Sequence, residues 1–199
     1  MPRQVWQGLS TTSLVANGVW KELRPVRKAE IVVFVIFLIF TSLVFLAPFT
    51  LAPGQVTDLS GKVGTIDNQA QIDQMNPFAA AIYWFGDGNC HQIASRSYYL
   101  NGNEMPFCSR DIGVFIGLVV GMGLVLIARP KVRVLIPLLG LIPIAIDGGL
   151  QLLTSYESSN ILRLATGLLA GVSVALLVHA FAMRMLEPKA SGKGRPEGH

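Results

Sequence analysis

Charge is scarce in this chain. Of its 199 residues, 14% are Asp, Glu, Lys or Arg, against about 25% in a soluble domain. Cysteine is scarcer. Two are present, too few for a disulfide scaffold and enough for one bridge or part of one metal site. No Walker loop, G-x-G-x-x-G fingerprint, H-E-x-x-H or pair of catalytic carboxylates occurs. Ser10, Thr11 and Thr12 have no accompanying base, so a serine nucleophile has no support. Basic and aromatic side chains do not interleave as they do on RNA-binding surfaces, so nucleic acid is not an expected partner. Apolar residues take the place of charge. They make up 51% of the chain, and the mean hydropathy is +0.50. This composition predicts an integral membrane protein. Whether it is an enzyme is left open.

Residues 1–30 form a polar to amphipathic arm. Val5, Trp6 and Leu9, then Val19, Trp20 and Leu23, recur at helical spacing. The arm reads as a cytoplasmic helix on the inner leaflet or as a partner-binding segment. Residues 31–52 begin IVVFVIFLIFTSLVFLAPF without a charge, and about 20 such residues cross a bilayer. The long leader argues for an uncleaved first span. An outer loop follows at 53–110. Within it, PFAAAIYWF at 77–85 is too short to span and predicts an interfacial or re-entrant helix. Further spans are expected near 111–128, 134–153 and 161–183, with Pro137 and Pro143 bending the third. Gly113, Gly117 and Gly121 share one helix face, and Gly167 and Gly171 form a second small-residue pair. Such faces pack helices within the chain or against membrane-protein partners. The fold class is therefore all-α: a polytopic protein with four transmembrane helices and one short interfacial or re-entrant helix. The membrane domain covers 31–184, and 185–199 form a disordered basic tail.

Lys and Arg set the orientation. With the N-terminus in the cytoplasm, the inner side holds Arg3, Lys21, Arg24, Arg27, Lys28, Arg129, Lys131, Arg133, Arg184, Lys189, Lys193 and Arg195. The outer side holds Lys62, Arg96, Arg110 and Arg163. Both termini are expected in the cytoplasm of a prokaryotic cell, with the lipid bilayer around the spans.

Three polar segments then converge at the outer membrane surface. The first is CHQIASRSYYLNGNEMPFCSRD, from Cys90 to Asp111. The second holds Asp147 and Gln151, one helical turn apart. The third holds Glu157, Asn160 and Arg163. Asp147 lies about 10 Å below its helix end at 1.5 Å per residue, where an unpaired carboxylate costs at least ~2.5 kcal/mol. Arg163 is its expected partner. The pair would either lock the hairpin of spans three and four or serve a substrate- or proton-handling role. Cys90, His91, Cys108 and Asp111 have the donor chemistry of a zinc site. Asp111 equally suits the N-cap of the second span, and a Cys90–Cys108 disulfide, slightly favoured by the spacing, would contribute about 3 kcal/mol. Arg96, Arg110 and Ser97 could take a phosphate or carboxylate, or the arginines could pair with Asp87 and Glu104. His179 stands alone among apolar residues and reads as a packing or interfacial histidine. Two functional readings follow. One is a polar, metal-binding site at the outer surface; the other is an accessory subunit of a membrane complex, with its cysteines bridged.

The stretches CHQIASRS, NGNEMPFCSRDIGVFIG, PIAIDGGLQ and ESSNILRLATGLLAG resemble a family of small prokaryotic membrane proteins known as domain of unknown function 2085. The matching positions are Cys90, His91, Arg96, Ser97, Pro106, Cys108, Arg110 and Gly113, then Asp147, Gly148, Gln151, Glu157, Ser158, Asn160, Arg163, Thr166 and Gly167. The resemblance covers roughly residues 89–180. It implies a membrane architecture and a polar site, and it supplies no reaction. Where the family pattern has a third cysteine this chain has Asp111. That departure excludes a thiol relay through this position.

Overall fold

The computed structural model describes residues 24–186. The expected N-terminal arm, with Val5, Trp6, Leu9, Val19, Trp20 and Leu23, and most of the expected tail lie outside the described residues. Uncharged runs in this chain have one way to satisfy their backbone amides in lipid, which is to coil into helices. Four segments are long and apolar enough to cross a membrane: Pro25–Thr50, Ser109–Ala128, Leu135–Leu153 and Asn160–Met185.

The first segment comprises α1 (Pro25–Leu46) and a 3₁₀ turn over Ala47–Thr50. It starts earlier than the uncharged run alone predicts, because Pro25 occupies the first turn, where a missing N–H is harmless. Glu30 therefore belongs to the helix, and it is buried. Glu30 Oε1 lies 2.6 Å from His179 Nδ1, and the Nε2 of His179 donates to the Pro130 carbonyl at 3.2 Å. His179 is thus not alone among apolar groups. Its partner comes from a helix 149 positions away.

The second and fourth crossings, α4 (Ser109–Ala128) and α7 (Asn160–Leu186), share the most extensive contact in the molecule. A Cβ on Gly113 would strike the Leu164 carbonyl, and one on Gly117 the Leu168 carbonyl. From the other side, a Cβ on Gly167 would meet the Arg110 carbonyl and one on Gly171 that of Val114. The two small-residue faces are spent on each other. Of the two expected uses, packing within the chain is the one these glycines serve. The third crossing is broken into α5 (Leu135–Leu139) and α6 (Ile142–Leu153), with Pro143 in the first turn of α6.

Between α1 and α4 the chain builds a cap. It contains α2 (Gln69–Ile72), α3 (Pro77–Asn89), and a hairpin of β1 (Ser97–Leu100) with β2 (Asn103–Cys108). The short helix expected at 77–85 is α3, capped by Asn76, whose side chain accepts from the Ala79 amide at 3.0 Å. The antiparallel hairpin was not expected. It turns on Asn101 and Gly102, with φ of +53° and +72°, the left-handed pair of a tight hairpin turn. The cap core gathers Val56, Leu59, Ala79 and Tyr83. Beneath it Phe40, Phe107 and Phe115 stack edge to face, tying the cap to α1 and α4. Buried polar groups are clamped rather than free. Asp87 accepts from the Asn68 amide at 2.9 Å and side chain at 2.6 Å. Asn103 donates to the Pro48 and Ala52 carbonyls and accepts from the Val56 amide.

Candidate functional site

β2 runs directly into α4, and this junction fixes the site. Cys108 is the last residue of the strand and the N-cap of the helix, so Asp111 lies in the first helical turn rather than at the cap. Three residues of separation bring its carboxylate back over Cys108, whose thiol donates to Asp111 Oδ2 at 3.1 Å. Cys90 closes α3 and lies against the same point. Its sulfur accepts from the Cys108 amide at 3.3 Å. Both thiols are free. The two sulfurs and a carboxylate oxygen of Asp111 lie within 4.8 Å of one another.

The two thiols differ in acidity. A hydrogen bond with Cys108 and burial push Cys90 up, and nearby Asp111 adds to the rise. The hydrogen bond from Cys90 pulls Cys108 down, against the opposing effect of burial.

A cavity of about 180 Å³ opens beside this cluster, lined among others by Cys90, His91, Cys108, Arg96, Arg110 and Arg163. His91 faces it from an exposed position and does not join the three-ligand group. Arg96 pairs with Glu157 at 2.8 Å, and that arginine holds the exposed Glu157 carboxyl below its usual range. Ser97 is buried and donates to the Ile93 carbonyl. It is the first residue of β1. Neither Arg96 nor Arg110 reaches Asp87 or Glu104. Those carboxylates sit inside the cap, where burial holds Glu104 up against the lowering effect of the Leu59 amide.

The wall of the site below the cluster is a closed polar network. Arg110 Nη2 donates to Asp147 Oδ2 at 2.5 Å and to Gln151 Oε1 at 2.9 Å. Gln151 donates to Ser158 Oγ at 2.6 Å, and Ser158 donates back to Asp147 Oδ2 at 3.3 Å. The partner of Asp147 is therefore Arg110 on α4, not Arg163. The expected pair fails because Arg163, almost wholly buried, turns to Asn160 Oδ1 at 3.4 Å. Asn160 also accepts from Ser109 Oγ at 3.0 Å and donates to the Ser95 carbonyl at 3.3 Å. It pins α7 to α4 and to the cap. Ser158 and Ser109 were not among the candidate site residues. Only their positions inside the matched motifs pointed to them.

The structure thus brings ten of the expected residues into one junction: Cys90, Cys108 and Asp111 as a cluster, His91 and Arg96 at its mouth, and Arg110, Asp147, Gln151, Asn160 and Arg163 as its floor. Glu157 holds the rim through Arg96.

Comparison with known proteins agrees with this geometry. Residues 90–177, which contain every residue just named, match the model of a family described as predicted membrane proteins, DUF2085. An uncharacterized protein of Methanocaldococcus jannaschii is 30% identical over 172 residues, covering 82% of this chain and 98% of the relative. An uncharacterized protein of Methanothermobacter thermautotrophicus is 37% identical over 91 residues, 44% of this chain and 82% of the relative. No solved structure matches. A relative aligned over nearly its whole length, together with the match to the family model, settles the assignment: the chain belongs to the DUF2085 family of predicted membrane proteins.

Proposed function

We propose that this membrane protein holds a thiophilic divalent cation, zinc, through Cys90, Cys108 and Asp111, on the outer side of a prokaryotic cell membrane with both termini in the cytoplasm. The carrying observation is the approach of two sulfurs and a carboxylate oxygen to within 4.8 Å of one another. Two thiolates and a carboxylate around a dication leave one surplus negative charge. Arg163, which lines the same cavity, balances it, since the charge of Arg110 is taken by Asp147. Three protein ligands with a cavity beside them is the arrangement of zinc sites that keep a coordination position open. Bound there, the ion would act as a Lewis acid. The cavity of about 180 Å³ is smaller than the usual 300–1,000 Å³ of small-molecule pockets. It suits a group of a few atoms, and its arginines favour an anionic one. Asp147 and Gln151 in the floor orient the Arg110 guanidinium.

Metal analysis of detergent-purified protein tests this reading. Stoichiometric zinc is expected, with cobalt substitution giving a thiolate charge-transfer band. Cys108→Ala should remove both signals, and Asp111→Asn should weaken affinity about 10- to 100-fold. Peptide mapping that finds Cys90 and Cys108 bridged, with no metal in any form, would sink the metal reading and favour the accessory-subunit one.

A further inference from the structure

We propose that the opposite end of the bundle carries a second site, a cavity that binds a phosphate anion. The cavity measures about 590 Å³, within the range of pockets that enclose small ligands. Six permanent cations line it: Arg24, Arg27, Arg129, Lys131, Arg133 and Arg184. Glu30 is the one carboxylate in the lining; its Oε1 meets His179 at 2.6 Å and its Oε2 lies 3.7 Å from Arg27 Nη1, so it offsets one of the six cations. Arg27 donates to the Leu126 carbonyl at 2.7 Å, which fixes its guanidinium in the wall. Its Nη1 is buried and has no hydrogen-bond partner among the described residues. Arg129, Lys131, Arg133 and Arg184 are exposed, and among the described residues none of their side chains makes a hydrogen bond or ion pair.

So many like charges around one hollow repel each other unless an anion sits among them. Guanidinium forks match phosphate oxygens two at a time. Three separate elements supply the charges: the start of α1, the α4–α5 connection and the end of α7. Val26, Val132, Ala180 and Met183 complete the lining with apolar surface. That strip, and a volume well beyond a bare phosphate, match an anion attached to a hydrocarbon chain. Basic pockets between membrane helices bind anionic headgroups in this way. A lipid is therefore the expected source of the phosphate.

Native mass spectrometry in neutral detergent, with added phosphatidylglycerol, phosphatidylcholine or inorganic phosphate, tests the proposal. Phosphatidylglycerol should bind saturably and at least tenfold more tightly than phosphatidylcholine. A Lys131→Gln, Arg133→Gln double variant should lose roughly an order of magnitude of that preference, with an unchanged melting temperature in lipid-free detergent. Arg96→Gln at the cap should leave lipid binding as it was. Inorganic phosphate that competes with the lipid at millimolar concentration would support the same site with a soluble phosphate as ligand. Equal binding of both lipids, together with no effect of inorganic phosphate, would overturn the proposal.

Discussion

Asp147 concentrates the residue-scale physics of the site. It is 5% exposed, and its Oδ2 takes the Arg110 guanidinium and the Ser158 hydroxyl. Removing one member of a buried ion pair strands the other, at a cost of about 3–5 kcal/mol. Asp147→Asn should therefore lower the melting temperature sharply in detergent. Asp147→Asn combined with Arg110→Gln should recover part of the loss, because neither charge is then stranded. A double variant as unstable as the sum of the singles would show that the two residues act independently. Glu104 poses a different problem. It is fully buried; its Oε2 accepts from the Leu59 amide, while Oε1 has no partner among the described residues. Burial raises its pKa above the ordinary 4.5. The folded chain thus holds the proton to higher pH than the unfolded chain. The favourable contribution is complete below about 4.5 and is lost as pH rises through the raised folded value. Thermal melts at pH 5 and pH 8 should show Glu104→Gln closing the gap that the native chain displays between them. Identical pH slopes in the two proteins would remove Glu104 as the titrating group. The sequence marked Asp147 as a charge in need of a partner, because an apolar run makes its cost obvious. It did not identify Arg110, since proximity in sequence and similar depth favoured Arg163. The choice depends on the angle at which α4 meets α6 and α7, which no local pattern encodes.

At the scale of elements, backbone approach governs. α4 and α7 are held together by glycines whose missing side chains let carbonyls reach the facing helix. Gly117 lies where an added Cβ would meet the Leu168 carbonyl and the Gly171 Cα. Backbone cannot turn aside as a side chain can, so both helices must part. Gly117→Ala should cost about 1–3 kcal/mol, and it should loosen the Cys90–Cys108–Asp111 cluster because Asp111 lies in the first turn of the same helix. Gly149→Ala, with nothing within 4 Å of the added carbon, serves as the control and should be stable. Equal stability of the two variants would refute the close-packed crossing. The glycine period was legible in the sequence because helices repeat every 3.6 residues. Whether it faced another chain or this one was not, since both uses demand the same spacing. The hairpin is the converse case. Its Asn101–Gly102 turn is a strong local signal. It sat between two short strands in a stretch dominated by site chemistry, where the surrounding pattern was read as loop. The cap depends on it, because β2 delivers Cys108 to the helix start.

For the whole molecule, the two ends differ in how their cations are used. At the cap end, Arg96 and Arg110 each meet a carboxylate, in Glu157 and Asp147, and the same cap carries Asp58, Asp67, Asp73, Asp87 and Glu104. Asp67 is held below the usual carboxylate range by the Lys62 amide and the Thr65 hydroxyl. The far end presents Arg24, Arg27, Lys28, Arg129, Lys131, Arg133 and Arg184 with few acids among them. Lys and Arg near span ends are retained in the cytoplasm during insertion, while Asp and Glu count for little. The proposed orientation, with the cap outside, rests on this imbalance. Single cysteines introduced into a Cys90→Ala, Cys108→Ala background make this measurable with a membrane-impermeant maleimide. Val63→Cys, at an exposed position of the cap, should label in intact cells. Lys131→Cys, exposed in the α4–α5 connection, should label only after the membrane is opened. The reverse pattern would put the thiols in a reducing compartment, where a Cys90–Cys108 bridge is not expected to persist. It would leave the cluster geometry intact while moving its metal supply, and any anion it meets, to the other side of the bilayer.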